Sequence, residues 1–298
     1  MRARAAWLGF GLTLWALLAC NAPFRWRVTP TVSTPDLTLT ALFQWPTPSP
    51  FTPGPAPAPA TPSIALTPWG TPVIPTPTGP VRDAPTVYAR RATVAPIIDG
   101  NLTDWPEEPW FEASHVIFGI EHWMGPSDAS ARFALMWNAD ALYLAARVTD
   151  DQYVQLATGF SLFKGDALEI VLDTDLPGDF TDATMNSDDY HLGFSPGYGE
   201  PGVRTEAYLW FPEALRGPRT LSVDIAARRV DQGYVVEIRL PWSLVDMTPQ
   251  PGGYYGFAFR VSDNDAPGQQ VQQSMVSNVP LPHVYNDPTT WGNLVLLP

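Results

Sequence analysis

Cysteine is nearly absent: the only thiol in 298 residues is Cys20, which excludes an internal disulfide and any multi-thiolate metal site. Basic residues are scarce too, with 17 Lys+Arg against 30 Asp+Glu and a formal net charge of -13. An acidic surface with no basic stripe repels a phosphate backbone, so nucleic acid is excluded as a partner. The four histidines, His115, His122, His191 and His283, show no His-Glu-x-x-His spacing. No Gly-x-Ser-x-Gly elbow and no Gly-rich phosphate loop occur. Many carboxylates could pair as in a glycosidase, but nothing in the spacing selects a pair, and the chain reads as non-catalytic.

What the chain has in excess is proline, 34 residues, distributed unevenly. The first 20 residues, MRARAAWLGFGLTLWALLAC, have a basic start, a short apolar run and Leu17-Leu18-Ala19-Cys20 at the end. This is the pattern of a bacterial lipoprotein signal cut before Cys20, whose thiol takes the lipid; an ordinary secretory signal is the alternative. Either implies export, and lipidation implies a cell envelope protein facing outward. Residues 21–86 are rich in Pro, Thr and Ala. Proline removes backbone donors and favours extended neighbours, so a disordered, stiffened linker is expected, reaching roughly 3.1 Å per residue if fully extended.

Residues 87–298 carry the folded part, and there the apolar period becomes two. Ala131, Phe133, Leu135 and Trp137 alternate, Asn138-Ala139-Asp140 makes a turn, and Leu142, Leu144, Ala146 and Val148 continue the alternation. Further strand-like runs cover 115–121, 167–172, 190–195, 204–211, 221–228, 234–240, 255–262 and 293–297, with a tight turn at Asp231-Gln232-Gly233. Only residues 242–247 suggest a helical turn. The pattern predicts an all-β fold, an antiparallel sandwich of about ten strands.

Several short elements occur in a telling order: Ile98-Asp99-Gly100 with Asp104-Trp105, Trp137-Asn138, Val148-Thr149-Asp150, Asp166-Ala167-Leu168-Glu169, Leu240-Pro241-Trp242, Val261-Ser262-Asp263 and Trp291-Gly292-Asn293. Together they resemble the family 9 carbohydrate-binding modules, a β-sandwich group related to the DOMON domains. The resemblance implies a sugar held between two aromatic plates, which fall at Phe163 and Tyr285. It also implies a carboxylate at Glu169 that accepts from sugar hydroxyls. The family's arginine aligns with Gly193, and His191, two residues earlier on the same face, is the candidate replacement. Trp105, Trp137, Trp242 and Trp291 fall in elements that are structural. Apart from the resemblance, Trp123, beside Met124-Gly125-Pro126, is a further candidate for ligand contact, on an expected strand-end loop.

The turn Asp173-Thr174-Asp175-Leu176-Pro177-Gly178-Asp179 gathers three carboxylates, and Asp263-Asn264-Asp265 two more. A hard cation such as calcium wants several oxygens, and the resembled family contains structural calcium; Asp173, Asp175, Asp179, Asp263 and Asp265 are its candidate ligands, with Asp150 and Asp151 behind them. A solvated acidic turn is the plain alternative. The expected function is non-catalytic glycan binding by a lipid-anchored module, alongside secreted glycoside hydrolases or envelope proteins. The alternatives are a structural or protein-binding sandwich with a degenerate groove, and a heme domain using Met136, Met275 or His191.

Overall fold

The computed structural model describes residues 72–280 and 286–298; Cys20, most of the expected linker and Tyr285 lie outside them. Fourteen strands are present among the described residues: β1 (Thr86–Arg91), β2 (Phe111–Ala113), β3 (His115–Phe118), β4 (Ala129–Trp137), β5 (Ala141–Asp150), β6 (Ala167–Asp173) and β7 (Asp189–Ser195). They continue with β8 (Glu206–Phe211), β9 (Gly217–Pro218), β10 (Asp224–Val230), β11 (Gly233–Pro241), β12 (Tyr254–Asp263), β13 (Ser274–Ser277) and β14 (Gly292–Leu296). The long strands match the alternating runs. The excess over ten comes from β1, a six-residue strand at the end of the proline-rich stretch, and from β2, β9 and β13, each of four residues or fewer and too short to show a period.

Hydrogen bonding runs without interruption in the order β10-β11-β5-β4-β1-β14-β12-β6-β7-β8-β9, and the sheet curls so that its two halves face each other. The antiparallel expectation holds except at the fold line, where β1 pairs in parallel with both β4 and β14. Inside, alternate residues of β4 and β5 meet those of β6, β7 and β12; the rings of Phe133 and Phe259 stand 4.4 Å apart. The β4–β5 turn forms because the Asn138 side chain accepts the backbone N–H groups of Asp140 and Ala141. Gly233 follows the turn between β10 and β11 at φ 121°, and a Cβ there would sit 2.1 Å from the Val148 carbonyl oxygen.

Both outer faces are partly covered, and this decides where a ligand can reach. On the β4–β5–β11 face, the segment after β1 lays Leu102 and Trp105 over Met136 and Tyr143. It is fastened by Glu237, which accepts the Trp105 indole N–H at 2.6 Å and the backbone N–H of Gly100 at 2.5 Å and Asp99 at 3.0 Å. The Asp-Gly and Asp-Trp elements are therefore a clasp on this carboxylate. Trp105→Phe keeps the ring and removes one donor, and is expected to lower stability by about 1–3 kcal/mol in urea unfolding; a change under about 0.3 kcal/mol would show that the indole N–H does not hold the clasp. Trp105, Trp137, Trp242 and Trp291 are all buried.

The chain before β1 is also packed. Asn293 pairs with Arg82, accepting its backbone N–H at 2.9 Å and donating to its carbonyl at 3.0 Å. The Arg82 guanidinium reaches Asp173 at 2.8 Å, and Tyr254 donates its hydroxyl to the Pro75 carbonyl. The boundary expected after residue 86 thus falls within a stretch already fastened to the sheet.

Candidate functional site

On the β12–β6–β7–β8 half, inward residues such as Leu168, Ile170 and Leu172 build the core. Period two turns Glu169 the opposite way, onto the outer face. Glu169 lies opposite Arg260 of β12 on one side and Gly193 of β7 on the other. His191 is diagonal to it across the β6–β7 ladder, and its Nε2 is 2.8 Å from Glu169 Oε2. Arg260 Nη1 is 3.7 Å from the same oxygen, and Ser262 Oγ lies 3.3 Å from Oε1. Gln272 donates to Ser262 Oγ at 2.9 Å.

These groups floor a groove of about 420 Å³, a size suited to a small ligand. Phe163, in the six-residue 3-10 helix Gly159–Lys164, is half-buried and lines it, as does Asn286. Burial alone would raise the Glu169 carboxyl. The hydrogen bond and charge of His191 and the charge of Arg260 outweigh it, and the net shift is downward, toward an ionised carboxylate. His191 is also held below its usual range, by burial first and by Arg260 in addition. The short contact is therefore one in which His191 Nε2–H donates and the Glu169 carboxylate accepts.

Phe163, Glu169 and His191 line one groove. Trp123 is not with them. Its indole N–H goes to the Ala129 carbonyl at 2.9 Å and its ring packs on the core, because the tight Gly119 to Gly125 turn folds it inward. Among the groove residues that escaped the sequence reading, Arg260 and Trp210 matter most. Arg260 is completely buried in a strand of apolar neighbours, and a lone arginine inside the run 255–262 was the available signal. Trp210 of β8 lies across Gly193, where a Cβ would be 2.1 Å from the indole Cη2. A side chain at 193 and this indole cannot coexist, so Trp210 takes the space that the aligned arginine would need.

Among the described residues the carboxylates form two clusters. Asp173, Asp179 and Asp188 place oxygens within 4.8 Å of one another; Asp150, Asp263 and Asp265 do likewise, as do Asp128, Asp151 and Asp265. Asp175 is not in the first: it is exposed, and its carbonyl and backbone N–H close the turn with Gly178 and Asp173. Asp188 replaces it, delivered by the loop before β7. Burial raises Asp173 to about 6 although Arg82 pulls it down. Burial and neighbouring aspartates raise Asp263 and Asp265 to about 7, and burial raises Asp150 to about 6. Buried oxygens of Asp150, Asp179, Asp188 and Asp265 lack a hydrogen-bond donor. Converging, unsatisfied, oxygen-only donors fit a hard divalent cation. Arg82 already balances one charge of the first cluster, so the second has the greater need.

Over 212 residues the chain is 24% identical to endo-1,4-beta-xylanase A of Thermotoga maritima, an alignment covering 68% of the chain and 17% of that enzyme. The chain therefore spans less than a fifth of that relative's length. Two solved structures of a family 9 carbohydrate binding module from Caldicellulosiruptor kristjanssonii share the fold at 22% identity. The one in complex with cellotriose has a TM-score of 0.53, covering 72% of this chain and 94% of that one. The one in complex with glucose has a TM-score of 0.54, covering 71% and 95%. With its clasp, curled sheet and closing Trp-Gly-Asn strand in place, and with residues 98–297 matching the family model, the chain belongs to the carbohydrate family 9 binding domain-like family.

Proposed function

We propose that the domain is a non-catalytic module that holds an oligo- or polysaccharide in the Glu169 groove. The observation that carries this reading is the ionised, buried Glu169 between His191 and Arg260, flanked by the rings of Phe163 and Trp210. A sugar ring offers C–H faces to the aromatic rings and hydroxyls to the carboxylate and guanidinium. The family 9 modules solved with cellotriose and glucose support the ligand class. Binding is modest, since every hydroxyl exchanges water for protein in an open groove.

Titration calorimetry with glucose and cellotriose tests the reading. Glu169→Gln keeps the shape, removes the charge, and is expected to weaken binding about 10- to 100-fold. Binding that is unchanged in this variant would move the site elsewhere. A second reading, a protein-binding sandwich, draws on the exposed Phe118, Ile120 and Met124 around one turn; a chain that binds neither sugar would favour it.

In the same proposal Cys20 is the lipidated first residue of the mature protein, and the proline-rich segment carries the module outward from the envelope. Catalysis on the bound glycan then belongs to secreted hydrolases. Mass spectrometry of the membrane fraction is expected to find a lipid on Cys20; a mature chain starting elsewhere would sink the anchor. Calcium completes the reading: Asp173, Asp179 and Asp188 would hold one ion, and Asp150, Asp263 and Asp265, with Asp128 and Asp151 behind, would hold another. Its contribution is to cancel charge repulsion and pin the loops beside the groove.

A further inference from the structure

The groove changes character from one strand to the next. Arg260, Glu169 and His191 occupy adjacent strands β12, β6 and β7 and form its polar middle. One strand beyond, the surface is carbon. Trp210 covers Gly193, and its indole N–H is spent on the Phe160 carbonyl at 2.9 Å. Phe163 meets the Trp210 ring at 6.2 Å and 66°, and Phe160, 54% exposed, stands at the rim. The cations beside these rings are engaged with them: Arg216 lies over the Phe160 ring at 5.7 Å, donates Nε–H to the Trp210 carbonyl and pairs with Glu213 at 2.6 Å, and Lys164 Nζ stands over the Phe163 ring at 5.9 Å.

Neighbouring strands are about 4.8 Å apart, so β6 and β8 are separated by about 10 Å, room for two rings side by side. A ring held at Glu169 and His191 therefore presses its next substituent against Trp210, Phe160 and Phe163. Hydroxyls placed there would lose water and gain no partner. An aromatic group would instead add edge-to-face contacts of the kind Phe163 and Trp210 already make with each other.

We infer that Trp210 and Phe160 are specificity-determining residues that make the groove prefer a sugar bearing an aromatic substituent over the same sugar without it. The inference rests on the sugar-binding reading above. Calorimetric titration of the full chain with glucose, 4-nitrophenyl β-glucoside and 4-nitrophenol tests it. The aryl glucoside is expected to bind at least tenfold more tightly than either glucose or 4-nitrophenol. Phe160→Ala, at an exposed position, is expected to reduce the ratio of aryl glucoside to glucose affinity at least threefold, and Trp210→Ala to reduce it further if circular dichroism shows the sheet intact. Equal affinity for glucose and the aryl glucoside overturns the inference while leaving the sugar-binding reading in place. Failure of both to bind overturns both. A 4-nitrophenol affinity equal to that of the glycoside also overturns the inference, because the ring at Glu169 would then add nothing.

Discussion

Calcium added to metal-stripped protein raises its thermal midpoint, by about 5–11 °C for each site when the free ion is at about one hundred times its dissociation constant. An ion bound only to the native state adds RT ln(1 + [L]/Kd), about 2.7 kcal/mol under that condition. A domain of this size moves about 2–4 °C per kcal/mol. The gain depends on pH in a definite direction. Asp263 and Asp265, at about 7, and Asp150, at about 6, lie above the ordinary aspartate value in the folded chain. Their contribution to metal-free stability is complete below the unfolded value near 4 and is lost as pH rises through 6 to 7. Metal-free protein is therefore expected to weaken between pH 5 and 8, and calcium to restore more at pH 8 than at pH 5. Asp263→Asn and Asp188→Asn each reduce the calcium increment, whereas Asp175→Asn, outside both clusters, leaves it. Identical melting in calcium and in chelator at pH 8 would show that neither cluster takes the ion.

Glu169→Ala is expected to cost about 3–5 kcal/mol of folding stability, apart from its effect on any ligand. The Glu169 side chain is 3% exposed and Arg260 is fully buried, so solvent screens the pair little. Removing the carboxylate takes away the negative charge that faces the buried Arg260 guanidinium across the β6–β12 ladder. Glu169 titrates below its ordinary value, so its stabilisation is present above the unfolded value and is lost as pH falls through the folded one, opposite in sign to the aspartate clusters. Urea unfolding at pH 7 of the single variants and of Glu169→Leu/Arg260→Leu measures the coupling. The double variant should recover at least half of the Glu169→Ala loss. A Glu169→Ala cost under about 1 kcal/mol would remove the carboxylate from this role.

The strands were legible because each alternates on its own, as in 131–137 and 142–148. What could not be read was which strand lies beside which. Arg260 and Glu169 are 91 residues apart and became partners only through the β6–β12 register. Asp188 and Asp128 sit in loops whose ends are set by other strands, so no local spacing connects them to Asp173 or Asp265. Trp210 had no signal as a plate, because its place depends on the missing side chain of Gly193 one strand away. Trp123 failed for the opposite reason. Its loop composition suggested exposure, and its one polar atom found a backbone partner six residues on. The parallel pairing of β1 was equally silent, since six residues do not reveal the direction of their neighbours.

The position of β1 has a mechanical consequence. A strand at the margin of a sheet can be peeled away one bond at a time, but β1 is held on both sides, by β4 and by β14. Tension drawn along it from upstream must strain both ladders together, after meeting the Pro75–Tyr254 contact and then the Arg82–Asn293 pair. Arg82 also grips Asp173, the last residue of β6, the strand that carries Glu169. A pull between an anchored upstream segment and a polymer held at Glu169 would thus pass in one step from the entering chain to the ligand-bearing strand, leaving the loops of the rim unloaded.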